Sequence, residues 1–141
     1  MKISKTAKSV ELSHTRDLFN KAKNYDDVID FTLGDPDIQT PDYIKNAAID
    51  AINGGYTRYS ANAGLMELRT VLSNSIFKET GVKYNPENEI IVTVGAMQAL
   101  YLSLVCLIDE GDEVIIPAPY WVNYDHMVKM CKGKSVIVDT F

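Results

Sequence analysis

The sequence predicts an α/β fold, and three observations carry that prediction. Two hydrophobic runs of strand length, "EIIVTV" at 89–94 and "EVIIP" at 113–117, are each followed by a helical pattern, "AMQALYLSLVCLI" and "YWVNYDHMVKM". A third run, "KSVIVDTF" at 134–141, closes the series. The runs are nearly continuous in Val and Ile, as strands covered on both faces are. Strand, helix, strand, helix, strand in this order is the pattern of right-handed crossovers over a parallel sheet with helices on both faces.

The elements follow along the chain. From Ser13 to about Lys23 a mixed polar segment predicts a helix capped by Ser13, with Leu12, Phe19 and Ala22 as its apolar positions. "DVIDFTLGDPDIQTP" predicts a short strand running into a Gly/Asp/Pro turn. Thr40 and Pro41 supply an N-cap and a first-position proline, after which Ile44, Ala47, Ala48, Ala51 and Ile52 recur at helical spacing until "NGG". "YTRYSANAG" is loop, and Leu65, Leu68, Leu72 and Ile76 mark a second amphipathic helix ending at Gly81. "YNPEN" and "DEGD" are turns that flank the first strand and helix of the crossover series. The chain then stops on a strand with no helix to cover it, so the visible sequence is expected to be the beginning of a larger domain.

Composition narrows the classes. A chain of 141 residues, 46% hydrophobic and 23% charged, is globular in composition and one ordinary domain in length. The net charge of −5, with no run of Lys or Arg, argues against a nucleic-acid surface. Cys106 and Cys131 lie in apolar segments and are expected to be reduced, buried thiols. His14 and His126 lack partners at ligand spacing, so no metal site is expected. The amino terminus lacks the apolar core of a secretory signal, and Ala96 to Ile108 is too short to span a bilayer and reads as a buried helix. A soluble, intracellular protein is expected.

Ligands in parallel α/β sheets bind at the carboxyl ends of strands, which directs attention to two turns. At "TVGAMQAL" one glycine passes the chain into a helix whose opening N–H groups, at Gly95, Ala96 and Met97, are expected to be unpaired and to offer an anion site. The same turn also serves packing alone in many proteins, and both readings stand on this motif by itself. No G-x-G-x-x-G is present, and "GKS" at 133–135 lacks the earlier glycine of a P-loop and precedes a strand, so it reads as a turn. In the second turn, Pro117 and Pro119 are expected to end the strand and direct Tyr120 and Trp121 to the carboxyl edge beside Gly95. There the indole has two readings, a plate for a flat ring or a core aromatic.

Four segments taken in order, "DFTLGDPDIQTP", "YTRYSANAGLMELR", "IIVTVGAMQAL" and "DEGDEVIIPAPYWVNY", resemble the amino-terminal part of class I aminotransferases. These are fold-type I, pyridoxal 5'-phosphate-dependent enzymes, and the aspartate/aromatic branch is the most similar. The resemblance runs from about residue 13 to Phe141 and implies an arm and small-domain segment over 1–40 and an incomplete cofactor-binding large domain over 41–141. It implies that Gly95, Ala96 and Met97 give backbone N–H groups to the cofactor phosphate and that Trp121 stacks on the pyridine ring, against the substrate. Tyr59 is implied to reach the phosphate of the neighbouring subunit of a homodimer, and Gly34 to lie beside the substrate carboxylate. The substrates implied are an amino acid and a 2-oxo acid, in cytoplasmic amino-acid metabolism.

The family's Schiff-base lysine, its carboxylate-binding arginine, and the asparagine, aspartate and tyrosine around the ring all belong to later segments. Lys129, Lys132 and Lys134 lie on a helix end and a turn, and none is assigned a catalytic role. No catalytic residue is therefore assigned, and the 141 residues alone are expected to be inactive. Carbon–sulfur lyases and cyclopropane-forming synthases share these motifs, and a non-catalytic binding or interaction module is the alternative of a different class. A nucleotide-binding oxidoreductase is disfavoured by the missing glycine fingerprint.

Overall fold

The computed structural model describes residues 2–10, 14–29, 31–32, 34 and 36–140. It divides into two compact units, Met1–Asp35 with Ala96–Phe141, and Pro36–Gly95.

The first unit opens with α1 (Lys5–Lys8) and α2 (His14–Ala22). Ser4 starts α1, its Oγ accepting the Ala7 N–H at 3.0 Å. Four residues carry too little periodicity to announce a helix, and α1 has no counterpart in the sequence reading. α2 occupies the helix expected from Ser13, although the Ser13 cap and Leu12 lie outside the described residues.

The crossover series follows as α5 (Gly95–Leu107), β1 (Glu113–Ala118), α6 (Asn123–Met130) and β2 (Lys134–Asp139). β1 and β2 pair in parallel, from Glu113 against Lys134 to Ala118 against Asp139, as the Val/Ile runs predict. α6 packs on both strands. Ile116, Met127 and Val128 are 5%, 3% and 1% exposed and form the core of this unit. Each side chain of this kind contributes about 1.5–3 kcal/mol on full burial.

A seam closes the amino ends of the two strands. The Gly111 N–H donates to the Lys132 carbonyl at 3.0 Å, and the Lys134 N–H to the Asp112 carbonyl at 2.8 Å. A Cβ on Gly133 would lie 2.8 Å from Ile108 Cδ1 and 3.1 Å from Val128 Cγ1, so a side chain there has no room. "GKS" is thus a turn and the start of β2, as expected.

The second unit contains α3 (Asp42–Asn53) and α4 (Met66–Thr80). Pro41 rather than Thr40 holds the cap position of α3: its carbonyl accepts the Ile44 and Lys45 N–H groups at 3.0 and 3.2 Å, and no side-chain cap bond forms. The one-residue shift follows from Pro41's ψ of 143°, which keeps it extended and outside the helix. None of α3's residues is buried. α4 ends where predicted, at Gly81 in the left-handed region with φ 75°, its N–H donating to the Phe77 carbonyl at 2.9 Å.

Several expectations are corrected. "EIIVTV" forms no strand. β-branched residues favour an extended path, but a strand needs a neighbour for its backbone groups, and the Val92 N–H goes instead to the Ala63 carbonyl at 2.9 Å. The described residues of 28–40 likewise form no strand. Pro117 lies inside β1 rather than ending it, and the Ala118–Pro119 peptide is cis. None of α5's residues is buried, and Cys106 is exposed. A helix apolar on every side needs cover on every side, and Leu100 and Leu104 meet β1 and α6 only across an open apolar cavity of about 230 Å³. On α4 the buried residues are Arg69 and Ser73, with Leu72 and Ile76 partly covered, whereas Leu65 and Leu68 are 48% and 43% exposed.

Candidate cofactor-phosphate site

The start of α5 is built from "TVGAM". Gly95 has φ 75°, a left-handed conformation that favours glycine, and a Cβ there would meet nothing within 4 Å. The Thr93 carbonyl accepts the Gly95 N–H at 2.9 Å, and Thr93 Oγ1 donates to the Gly95 carbonyl at 3.0 Å. The expectation of three unpaired amides is corrected on this point: Gly95's own N–H is engaged by the Thr93 carbonyl. Ala96 and Met97 follow in the first turn of the helix, where backbone N–H groups have no intrahelical acceptor. No acidic side chain occupies that turn, so nothing there competes with an anion for the positive end of the helix.

The carboxyl ends of the two strands lie together. Thr140 Oγ1 donates to the Ala118 carbonyl at 2.5 Å, joining the residue after β2 to the last residue of β1. From Ala118 the chain passes through Pro119 and Tyr120 to Trp121, which is 48% exposed, and then into α6. The Trp121 and Tyr124 rings meet edge to face, with centroids 5.7 Å apart and planes at 87°. The Trp121 carbonyl accepts the Tyr124 N–H at 2.9 Å, which fixes the indole to the entry of α6. One contact joins this entry to the start of α5: the Asn123 side-chain amide donates to Met97 Sδ at 3.7 Å. Asn123 was not singled out from the sequence. An asparagine at the first turn of a helix leaving a strand's carboxyl edge was its signal.

Gly34 is exposed, and the space around it is open. Tyr59, in the second unit, projects fully into solvent with a relative exposure of 107%, and lines a shallow depression with Thr57, Arg58 and Ser60.

The three lysines at the end of α6 and the start of β2 are each paired. Lys129 bonds Asp125 at 2.7 Å, Lys132 bonds Glu110 at 2.9 Å and Lys134 bonds Glu113 at 2.6 Å. Hydrogen bonds to these glutamates, and then their charge, hold Lys132 and Lys134 above the ordinary lysine value. Burial pushes the Cys131 thiol up, which disfavours its reactive thiolate. Among the described residues no group of three or more His, Cys, Asp or Glu could hold a metal, and no helix is long and apolar enough to cross a membrane.

Comparison with known proteins gives this arrangement its setting. The aminotransferase class I and II family profile matches residues 26–141. The aspartate aminotransferase of Geobacillus stearothermophilus is 43% identical over 99% of this chain and 36% of its own length. A probable aspartate/prephenate aminotransferase of Aquifex aeolicus is 43% identical over 94% of this chain and 31% of its own. Among solved structures, aspartate aminotransferase from Thermus thermophilus with maleate superposes with a TM-score of 0.92 at 38% identity, covering all of this chain and 38% of that one. The enzyme from Rhizobium meliloti gives 0.93 at 34% identity, over all of this chain and 36% of its own. The chain thus spans about a third of the length of the relatives it matches, and the parallel βαβ unit, its fold-type I neighbours and its matched residues make it a member of the aminotransferase class I and II family.

Proposed function

We propose that these residues form the phosphate-holding portion of a pyridoxal-phosphate-dependent enzyme that moves an amino group from an amino acid to a 2-oxo acid. The observation that carries the reading is the contact of Asn123 with Met97 Sδ at 3.7 Å, which sets the entry of α6, two residues past the indole, against the first turn of α5. The residues fit the cofactor: helix-start amides free of acidic neighbours suit a phosphate, and an exposed aromatic suits a flat ring. When bound, pyridoxal phosphate supplies an electron sink for bonds at the amino acid's α-carbon.

In this reading Ala96 and Met97 donate their N–H groups to the phosphate, and Gly95 allows its close approach. Trp121 lies against the ring face and keeps water from it, with Tyr124's ring edge bracing the indole. The Tyr59 hydroxyl serves the phosphate of a neighbouring subunit in a homodimer, which accords with its full exposure here. Gly34 leaves room for the substrate carboxylate, and the division at 40/41 separates an arm from the cofactor-binding part. The enzyme works in the cytoplasm, without nucleic-acid or membrane partners. The lysine that would bind the cofactor covalently is assigned to none of these 141 residues.

The test uses Trp121, the chain's one tryptophan, as its own reporter. Pyridoxal 5'-phosphate is expected to quench its fluorescence at concentrations at least tenfold below those needed with pyridoxal. Trp121→Phe removes the signal and weakens binding measured by equilibrium dialysis. Equal affinity for the two compounds would overturn the phosphate assignment. Turnover of an amino-acid/oxo-acid pair, or cofactor fixed to the chain by borohydride, would overturn the assignment of no catalytic lysine.

A further inference from the structure

We infer that Arg69 is a positioning residue for the turn at Gly95, an inference that rests on the cofactor-phosphate reading above. Arg69 stands on α4 and is only 6% exposed. Three carbonyl oxygens rather than a carboxylate take its N–H groups: Nε donates to Gly64 at 3.1 Å, and Nη1 donates to Pro86 at 2.5 Å and to Glu87 at 3.1 Å. The guanidinium therefore ties the end of the loop at 57–64 to the turn at 84–88. A planar fork with donors in fixed, divergent directions can serve both, whereas a lysine ammonium is a point charge on a flexible stem.

The loop end held by Arg69 presses on the segment that delivers Gly95. The Val92 N–H donates to the Ala63 carbonyl at 2.9 Å. Gly64 has φ 97°, and a Cβ on it would lie 2.8 Å from both Cβ and Cγ2 of Val92. Ala63 and Gly64 thus form a close-fitting wall against Val92, three residues before Gly95. Pro86 and Glu87, on the other side of the guanidinium, begin the same segment. Arg69 fixes the segment at its start directly and at Val92 through Gly64, so the path into the Gly95 turn is set from both ends. The loop that bears Tyr59 shares this anchor.

The 141-residue chain is compared with Arg69→Met, Arg69→Lys and Gly64→Ala. Two quantities are read: hydrogen exchange of the Val92 N–H, with the amides of Ile115 and Ile116 in β1 as internal reference, and the ratio of affinities for pyridoxal 5'-phosphate and pyridoxal. Arg69→Met is expected to speed Val92 exchange tenfold or more while leaving β1 unchanged, and to lower the phosphate preference about tenfold with pyridoxal affinity held. Arg69→Lys is expected to fall between. Gly64→Ala, which keeps the arginine but spoils the fit to Val92, is expected to lower the same preference.

A general loss of stability would weaken both compounds alike and would overturn the inference, as would Val92 exchange or phosphate preference equal to wild type. If Arg69→Met does not fold, Arg69→Lys and Gly64→Ala carry the same comparison. A wild-type chain with no preference for the phosphate form would instead overturn the underlying cofactor reading, an outcome distinct from a preference that survives in the variants.

Discussion

Beneath β1 and β2 the most deeply buried side chains are Ile116, Met127 and Val128, whereas in Pro36–Gly95 they are Arg69 and Ser73. Both regions are packed around helices, yet their anchors differ in kind. Apolar contact is non-directional, and a cavity degrades it in proportion to the volume lost. The hydrogen bonds of Arg69 and of Ser73, whose Oγ donates to the Tyr84 carbonyl at 2.5 Å, are directional. Removing the donor leaves a covered carbonyl unmet, a larger cost than the bond itself contributes. The region that must deliver a turn along one path uses directional anchors, and the region that must support a sheet uses shape.

Truncating the apolar anchor should give the largest effect. Met127→Ala is expected to cost about 2–3 kcal/mol, at the low end for buried methionine because the side chain already borders the open cavity, and urea unfolding measures it. A loss below about 1 kcal/mol would break the comparison by showing that this core is not what holds the sheet. Ser73→Ala is expected to cost about 1–2 kcal/mol and to speed exchange around Tyr84 while sparing β1 and β2. An even loss of protection across both units would contradict separate anchoring.

The smallest effect concerns charge. Burial raises the Asp125 carboxyl, but Lys129, with smaller help from the neighbouring Ser135 and His126, outweighs it and holds Asp125 below its ordinary value. A carboxylate with a lowered folded value contributes stability above its unfolded value and loses that contribution as pH falls through the folded one. Asp125→Asn is therefore expected to lower stability slightly at neutral pH and to flatten its decline below the ordinary carboxylate range. A denaturation series from neutral to acidic pH reads this, and an acid slope identical to wild type would remove Asp125 from the account.

Much of this was legible in the residues. The parallel pair of β1 and β2 followed from continuous Val/Ile runs, and the end of α4 from Gly81. "EIIVTV" carried the same signal as β1 but found its hydrogen bond in the Ala63 carbonyl, because pairing is decided by what lies alongside and not by the run itself. The leucine stripe on α4 pointed to Leu65 and Leu68, while the buried positions are Arg69 and Ser73, four apart on one face. Periodicity counts apolar residues and so passes over a polar pair that turns inward to backbone oxygens. At the site, Gly95 and Trp121 were visible as a turn glycine and a lone indole, and Asn123 as a polar residue at a helix start, but its contact with Met97 joins residues 26 apart and nothing local names that partner.

The seam at Gly133 acts as a datum for everything at the opposite edge. With the Lys134 N–H on the Asp112 carbonyl, Glu113 must face Lys134, and every later pair up to Ala118 and Asp139 is then counted off in step. Six residues of strand carry that alignment about 20 Å to the loop of Trp121. A slip of one residue at the datum would send each alternate side chain to the wrong face and shift the two strand ends out of level. The placement of the indole is thus surveyed from the far side of the sheet, by a glycine that never approaches it.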